Sequence, residues 1–192
     1  MIVVGDISKN SVKCETQYDA LKVVFKGEGH SVEVGEGCVF NNFQIFFYGK
    51  RSKVIIGQNC SLSGVIHLKG DNCVLTLGDL VKTNAPIFVN LGELGDTLTI
   101  GNSCLFANPK FRTSDSHKIY CKNTNERINP SGNIIIEDNV WIAEDVLVMG
   151  GVVIQQGSVI GAKSLVNRNI PHNCIAAGVP AKVIKKDIFW KE

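Results

Sequence analysis

A histidine in a polar stretch, His117 in TSDSHKI, is the side chain of this sequence best suited to acid–base chemistry. The pKa of an imidazole lies near neutral pH, so the ring can take a proton from a hydroxyl group as that hydroxyl attacks. Asp115, two residues earlier, could fix the imidazole tautomer or could cap a turn. Taken alone, a histidine in a polar loop is more often an exposed side chain, so the surrounding elements must decide its role.

The stretch that follows, residues 134–171, has an aliphatic residue at every sixth position. These residues are Ile136, Ile142, Val148, Ile154, Ile160 and Val166. Neither an amphipathic helix nor an alternating strand gives this period. A period of six is typical of a hexapeptide β-helix, in which each hexad forms one short strand and one turn. A second inward position, four places after each aliphatic residue, is small or β-branched: Val140, Val146, Val152, Ser158, Ser164 and Ile170.

The same pattern, with interruptions, organises the chain from residue 34 onward. Groups of hexads begin at 34, 56, 77 and 100, which predicts about six triangular coils over residues 34–171. Residues 1–33 are expected to form short strands that cap the N-terminal end, because an open solenoid edge needs a cover. The range 107–133 has no hexad phase and is predicted to be a long protruding loop, which in a compact repeat is usually functional. Residues 172–192 are expected to close the other end as a short tail or helix.

Composition excludes several classes of function. The 192 residues carry a formal net charge of +2, which gives no case for a nucleic-acid partner. No apolar run approaches the length of a transmembrane span, and the start, MIVVGDISKN, lacks the features of a secretory signal. The seven cysteines are odd in number and include no CxxC pair, so we expect reduced core cysteines in a cytoplasmic protein.

Several phrases give the chain a family likeness. The segments DNVWIA, VIGAKSLV and AAGVPAKVIK resemble the hexapeptide-repeat acyltransferases, above all their carbohydrate O-acetyltransferase branch. SDSHKI followed by ERINP is similar to the members that modify capsules and O-antigens. This resemblance implies a left-handed parallel β-helix, a homotrimer with active sites between subunits, and acetyl-CoA as the donor. The left hand follows only from the resemblance, because parallel crossovers are otherwise right-handed.

The resemblance also implies roles for particular residues. It makes His117 the catalytic base, with Asp115 as its possible partner. It places Trp141, which should face outward, at the active site, although packing under the 107–133 loop is the alternative. It suggests Asn84 as an acceptor-binding residue. The expected donor site combines small residues with residues near the C-terminal end that suit CoA phosphates: Ala143, Ala162, Asn167, Arg168, Lys182 and Lys185.

The leading hypothesis is therefore an acetyl-CoA-dependent O-acetyltransferase acting on a sugar or surface glycan. An N-acyltransferase of an amino sugar or nucleotide sugar remains an alternative, since it would share the donor site and the base. A catalytically inactive β-helix used for assembly is an alternative of another class. The family also has a zinc-dependent carbonic anhydrase branch, but His30, His67 and His172 lack ligand spacing, so no metal is predicted. The sequence does not identify the acceptor.

Overall fold

The computed structural model describes residues 1–15 and 18–192 and contains only strands and turns over these ranges. The strands are β1 (Ile2–Val4), β2 (Ser11–Cys14), β3 (Leu21–Phe25), β4 (Ser31–Val34), β5 (Val39–Phe47), β6 (Lys53–Ile56), β7 (Ser61–Leu68), β8 (Val74–Leu77), β9 (Lys82–Ala85), β10 (Ile87–Leu91), β11 (Thr97–Ile100), β12 (Leu105–Ala107), β13 (Lys110–Arg112), β14 (Ile134–Ile136), β15 (Trp141–Ile142), β16 (Leu147–Met149), β17 (Val153–Ile154), β18 (Val159–Ile160), β19 (Leu165–Val166), β20 (Ile175–Gly178) and β21 (Ala181–Lys185). Within this described part, no helix is long and apolar enough to cross a membrane.

The strands wind into a left-handed parallel β-helix of about seven turns, as the fold prediction required. Each turn visits three faces in a fixed order. Face A contains β1, β3, the second halves of β5 and β7, β10, β13, β16 and β19. Face B contains β2, β4, β6, β8, β11, β14 and β17. Face C contains the first halves of β5 and β7, then β9, β12, β15, β18, β20 and β21.

The hexad residues form the interior, as predicted. All six aliphatic residues of the 136–166 series are at most 1% exposed. Ser158 and Ser164, the two hydroxyl residues at the second inward position, are also buried and donate to the carbonyl oxygens of Pro171 and Gly161. Their hydroxyls are therefore satisfied by the backbone, which makes a polar side chain tolerable at an interior position.

Residues 1–33 do more than cover an edge. β1 pairs in parallel with β3, and β2 pairs in parallel with β4, in register with the coils that follow. These short strands thus extend the same stack toward the N-terminal end. The structure consequently has about seven turns rather than the six predicted from residue 34 onward.

Two boundaries differ from the prediction. Lys110–Arg112 forms a strand between β10 and β16, with Phe111 fully buried against Phe106, so the protruding loop begins at residue 113 instead of 107. At the C-terminal end, Ala181–Lys185 is an antiparallel strand on β20, and no helix forms there. Only residues 186–192 continue as a tail.

A repeated turn joins face B to face C and contains most of the cysteines. A residue with positive φ, such as Asn59 or Ser103, lies in this turn directly before an inward cysteine or small aliphatic residue. Cys60 and Cys104 are both about 1% exposed, and each thiol donates to a carbonyl oxygen of the next coil at 3.2 Å. Burial raises the pKa of both thiols to about 12. All seven cysteines are unpaired.

Candidate active site

The predicted base lies on an ordered loop at the corner between faces A and B. This corner loop (residues 113–133) leaves the coil after β13 and returns at β14. An antiparallel bridge between Tyr120 and Arg127 closes it, and Ile128 donates its N–H to the carbonyl of Ile119 at 2.8 Å. The loop is therefore a short hairpin that projects from the β-helix.

His117 is exposed, but its backbone is fixed by one side chain that the sequence did not single out. Asn129 donates from Nδ2 to the carbonyl oxygen of His117 at 2.8 Å and to Oδ2 of Asp115 at 3.0 Å. Its Oδ1 accepts the N–H of Ile119 at 2.6 Å. The Asp115 carboxylate thus meets Asn129, and the described residues show no hydrogen bond from it to the imidazole. The arrangement holds the main chain around His117 and leaves the ring open to solvent.

An ion pair anchors the loop to the preceding coil. The Arg127 guanidinium meets the Glu93 carboxylate through two parallel bonds, Nη1 to Oε2 at 2.6 Å and Nη2 to Oε1 at 2.5 Å. Ser114 donates to the same carboxylate at 2.6 Å, and Arg127 also donates to the carbonyl of Asn129 at 2.9 Å. Both side chains are only about a quarter exposed. The bonds from Arg127 and then Ser114 lower the pKa of Glu93 from 4.5 to about 2.

A buried carboxylate beneath the loop fixes the point where it begins. Asp96 is 3% exposed and accepts the Thr113 hydroxyl at 2.5 Å. The same oxygen accepts the N–H groups of Gly92 and Glu93 at 3.0 and 2.8 Å. One acid therefore ties the first residue of the corner loop to the turn that carries Glu93.

Trp141 lies on a different part of the molecule. It faces outward from β15 on face C and is 38% exposed. Its ring packs against Trp190 of the C-terminal tail, with centroids 6.0 Å apart. Because the corner loop leaves between faces A and B, one chain does not bring Trp141 beside His117. The loop also does not cover Trp141, contrary to the packing alternative.

The predicted donor residues lie at the C–A corner, on the adjoining part of face C and at the A–B corner. Ala143 stacks on Gly161, which stacks on Ala177, at the corner between faces C and A; a Cβ at Gly161 would lie 2.8 Å from that of Ala177. Ala162 follows Gly161, and Lys182 pairs opposite Ala177.

The remaining donor residues complete this division. Lys185 lies opposite Ile175 on face C. Asn167 and Arg168 are exposed just after β19, at the A–B corner that also holds His117. A small-residue column with nearby cations and the histidine corner are thus separate surfaces of a single chain.

Asn84 lines a groove of mixed polar and apolar residues where face C meets face A. It is exposed on β9, where this groove of about 390 Å³ runs along the C–A corner. Asn41, Ser63 and Thr83 also line the groove, and it has no charged lining residue among those described. Hydroxyl and amide groups at this density can hydrogen-bond a polar, uncharged molecule.

The sequence predicted His117 as the base, and it gave no indication of the residues that hold the loop around it. Glu93 and Arg127 are 34 residues apart, and no spacing rule connects them. The phrase ERINP contains both Arg127 and Asn129. The sequence therefore marked these residues only as part of a family-like phrase and gave neither of them a role. Across residues 1–15 and 18–192, no three histidine, cysteine or acidic side chains lie close enough together to hold a metal ion.

Comparisons with known proteins agree with this architecture. A profile of the bacterial transferase hexapeptide family (six repeats) matches residues 133–168. The putative acetyltransferase SACOL2570 of Staphylococcus aureus (strain COL) is 36% identical over 134 residues, covering 60% of this chain and 67% of that protein. The polysialic acid O-acetyltransferase of Escherichia coli O1:K1 / APEC is 30% identical over 142 residues, covering 73% of this chain.

A solved structure matches along the whole chain. The crystal structure of the polysialic acid O-acetyltransferase OatWY superposes with a TM-score of 0.89 at 26% identity, covering 100% of this chain and 92% of that one. The chain nevertheless spans less than two thirds of several curated relatives, including 39% of the E. coli O1:K1 protein.

Proposed function

Because this chain belongs to the bacterial hexapeptide-repeat transferase family, we propose that it is an acetyl-CoA-dependent O-acetyltransferase of a sugar or surface glycan. The observation that carries the proposal is His117, an exposed imidazole on a loop whose main chain is fixed by Asn129. A general base needs a defined position and an open path to the acceptor hydroxyl. The similarity to polysialic acid O-acetyltransferases supports acetyl transfer to a glycan.

The residues of the chain fit a CoA donor. The Ala143–Gly161–Ala177 column has small side chains, so an extended chain of amides can approach the backbone there. Lys182 beside this column offers a cation for phosphate groups. The donor supplies an activated acetyl thioester. His117 accepts the proton of the attacking hydroxyl, and the protonated ring can then give a proton to the leaving thiolate.

The geometry favours a site shared between copies of the chain. His117 and Arg168 occupy the A–B corner, whereas Trp141 and Ala143 occupy face C and the C–A corner. In a closed ring of three copies, the A–B corner of one can face the C–A side of the next. We therefore expect a homotrimer with three sites at the subunit boundaries. The unpaired cysteines fit a reducing compartment, so we place the enzyme in the cytoplasm.

An acceptor screen tests the proposal. The purified protein is mixed with acetyl-CoA and, in separate reactions, with oligosialic acid, lactose or glucosamine, and thiol release is measured with a colour reagent. We expect release above background with a hydroxyl acceptor, and mass spectrometry should show an added acetyl ester. Product formed only on the amine of glucosamine would contradict O-acetylation. Release with none of the acceptors, in a protein that also fails to bind acetyl-CoA, would favour an assembly role.

A further inference from the structure

The C-terminal tail (residues 186–192) runs back along face C toward the N-terminal coils. Ile188 donates its N–H to the carbonyl of Asn173 at 3.0 Å. Trp190 donates from Nε1 to the carbonyl of Asn139 at 2.8 Å, and Glu192 pairs with Lys82 at 2.8 Å. These contacts lie on successively earlier coils, so the tail follows the axis of the β-helix across several turns.

This path brings the second tryptophan of the chain beside the first. The ring centroids of Trp141 and Trp190 are 6.0 Å apart and the ring planes are inclined at 48°, so the two rings are tilted and not stacked in parallel. Trp141 remains 38% exposed in this arrangement. A cavity of about 170 Å³ adjoins Trp190, with Lys82, Ser103 and Glu192 also in its lining. Trp190 and Glu192 of the tail therefore complete a cavity on the coils, next to the pair of tryptophan rings.

We propose that Trp190 is a specificity-determining residue that forms, with Trp141, the aromatic wall of a sugar-binding acceptor site. The inference rests on the proposed function and on the expectation that Trp141 lies at the active site. An indole offers a flat apolar face and a polar edge. The C–H face of a pyranose ring can pack on such a face while its hydroxyls reach polar groups. Here the Nε1–H of Trp190 is already bonded to the carbonyl oxygen of Asn139, so its ring is held in place while the residue stays partly exposed.

A neighbouring residue supplies a matched control. Phe189 is 81% exposed and lies on the same tail, with the Lys191 ammonium 5.9 Å from the centre of its ring. Trp190→Ala and Phe189→Ala thus remove one aromatic ring each, from adjacent positions, and only the first is predicted to touch the sugar. Trp190→Phe keeps an aromatic face but loses the bond to Asn139.

The first experiment compares steady-state kinetics with the acceptor that the screen identifies. Trp190→Ala should raise the acceptor KM by about three- to tenfold, the range expected for losing one aromatic contact, while the acetyl-CoA KM stays unchanged. Trp190→Phe should recover part of this loss, and Phe189→Ala should behave as wild type. Equal changes in both KM values, or equal effects of the two alanine variants, would show that the tail is only structural and would overturn the inference.

A second experiment needs no turnover. The chain has two tryptophans, so the emission of Trp190→Ala comes from Trp141 alone. Oligosialic acid and lactose are titrated into Phe189→Ala and Trp190→Ala without acetyl-CoA. Weaker binding by Trp190→Ala supports the inference even if no acetyl transfer is found, in which case only the proposed reaction fails. Equal binding by the two variants, or no emission change in either variant, overturns the inference.

Discussion

At the scale of single residues, the main chain around His117 is held by hydrogen bonds, whereas the His117 side chain is exposed. Asn129 donates to the carbonyl oxygen of His117 and to the Asp115 carboxylate and accepts the N–H of Ile119, while the imidazole remains exposed. A base that must meet an incoming hydroxyl benefits from this division, because its position is set before the acceptor arrives. The consequences of removing the ring and of removing its support should therefore differ.

Removing the ring should abolish transfer without unfolding the protein. We expect His117→Ala to lower kcat by about 10²–10⁴-fold, the usual contribution of a general base. The melting temperature should stay near that of the wild type, since the exposed ring fills no cavity. His172→Ala, which removes an exposed histidine at the C-terminal end, is the control and should retain full activity. If His117→Ala kept more than about a tenth of kcat, His117 would not be the base.

Removing the support should slow the chemistry without affecting donor binding. Asn129→Ala loses three hydrogen bonds around His117, so the loop samples other positions, and kcat should fall about tenfold. The acetyl-CoA KM should not change. Asn123→Ala, an exposed change in the same loop, is the comparison. A rise in the acetyl-CoA KM, with kcat intact, would contradict a positioning role.

The donor cation can be tested in the same assay. Lys182→Ala should raise the acetyl-CoA KM with little effect on kcat, because it removes binding that is equal in ground and transition states. The wild-type KM should also rise with salt, since exposed charge contacts are screened. The neighbouring exposed Lys186→Ala provides the control. An acetyl-CoA KM unaffected by Lys182→Ala would remove this residue from the donor site.

At the scale of elements, the corner loop depends on an ion pair with a defined pH range. The depressed pKa of Glu93 means that its stabilising effect is complete above about 4.5, the value expected unfolded, and is lost as the pH falls toward about 2. Glu93→Gln should therefore destabilise the loop at pH 7, and the difference from wild type should shrink between pH 4.5 and pH 3.

Hydrogen exchange of amides 113–133 measures this difference directly. Because both partners are about a quarter exposed, solvent screening will reduce the effect below that of a fully buried pair. Glu28→Gln, in a half-exposed pair with Lys50 at 3.3 Å, should leave exchange in the corner loop unchanged. If the difference in exchange rate between the wild type and Glu93→Gln did not change with pH, the pKa of Glu93 would not be linked to the stability of the loop.

The sequence predicted those features that depend on local patterns and missed those that depend on contacts between distant residues. Hexad periodicity is local, so the buried series from Ile136 to Val166 was predicted residue by residue. β13 was missed because Phe111 follows Phe106 after five residues, and Pro109 lies between them. The Glu93–Arg127 pair joins distant segments, and no local pattern announces it. The roles of Trp141 and the donor residues remain predictions, because they depend on a neighbouring copy.

At the scale of the whole molecule, the separation of His117 from Trp141 predicts that the chain acts as an assembly. Light scattering at micromolar concentration should give the mass of three chains of 20.9 kDa. A monomer under these conditions would contradict the proposed arrangement of sites, since no chain could then supply both corners of one site.

Mixed assemblies offer a sharper test. His117→Ala alone should be nearly inactive and Trp141→Ala alone should be impaired at acceptor concentrations below KM, but trimers formed from both should contain some sites with an intact histidine from one copy and an intact tryptophan from the next. Random mixing in equal amounts predicts activity at about a quarter of the sites. Mixtures no more active than the separate variants would place both residues in the same subunit. Co-expression with two affinity tags isolates the mixed trimers, in which about one site in three should be intact.

The buried thiols have a consequence for how the coils come apart. Cys38, Cys60, Cys104 and Cys174 occupy the same turn on different coils, and each is at most 7% exposed. An alkylating reagent can reach one of them only when its own coil opens, and in a solenoid each coil contacts only its neighbours. Mass spectrometry after timed alkylation would therefore record the order in which the coils unfold locally. The partly exposed Cys121, on the corner loop, would react first and mark the start of the time course.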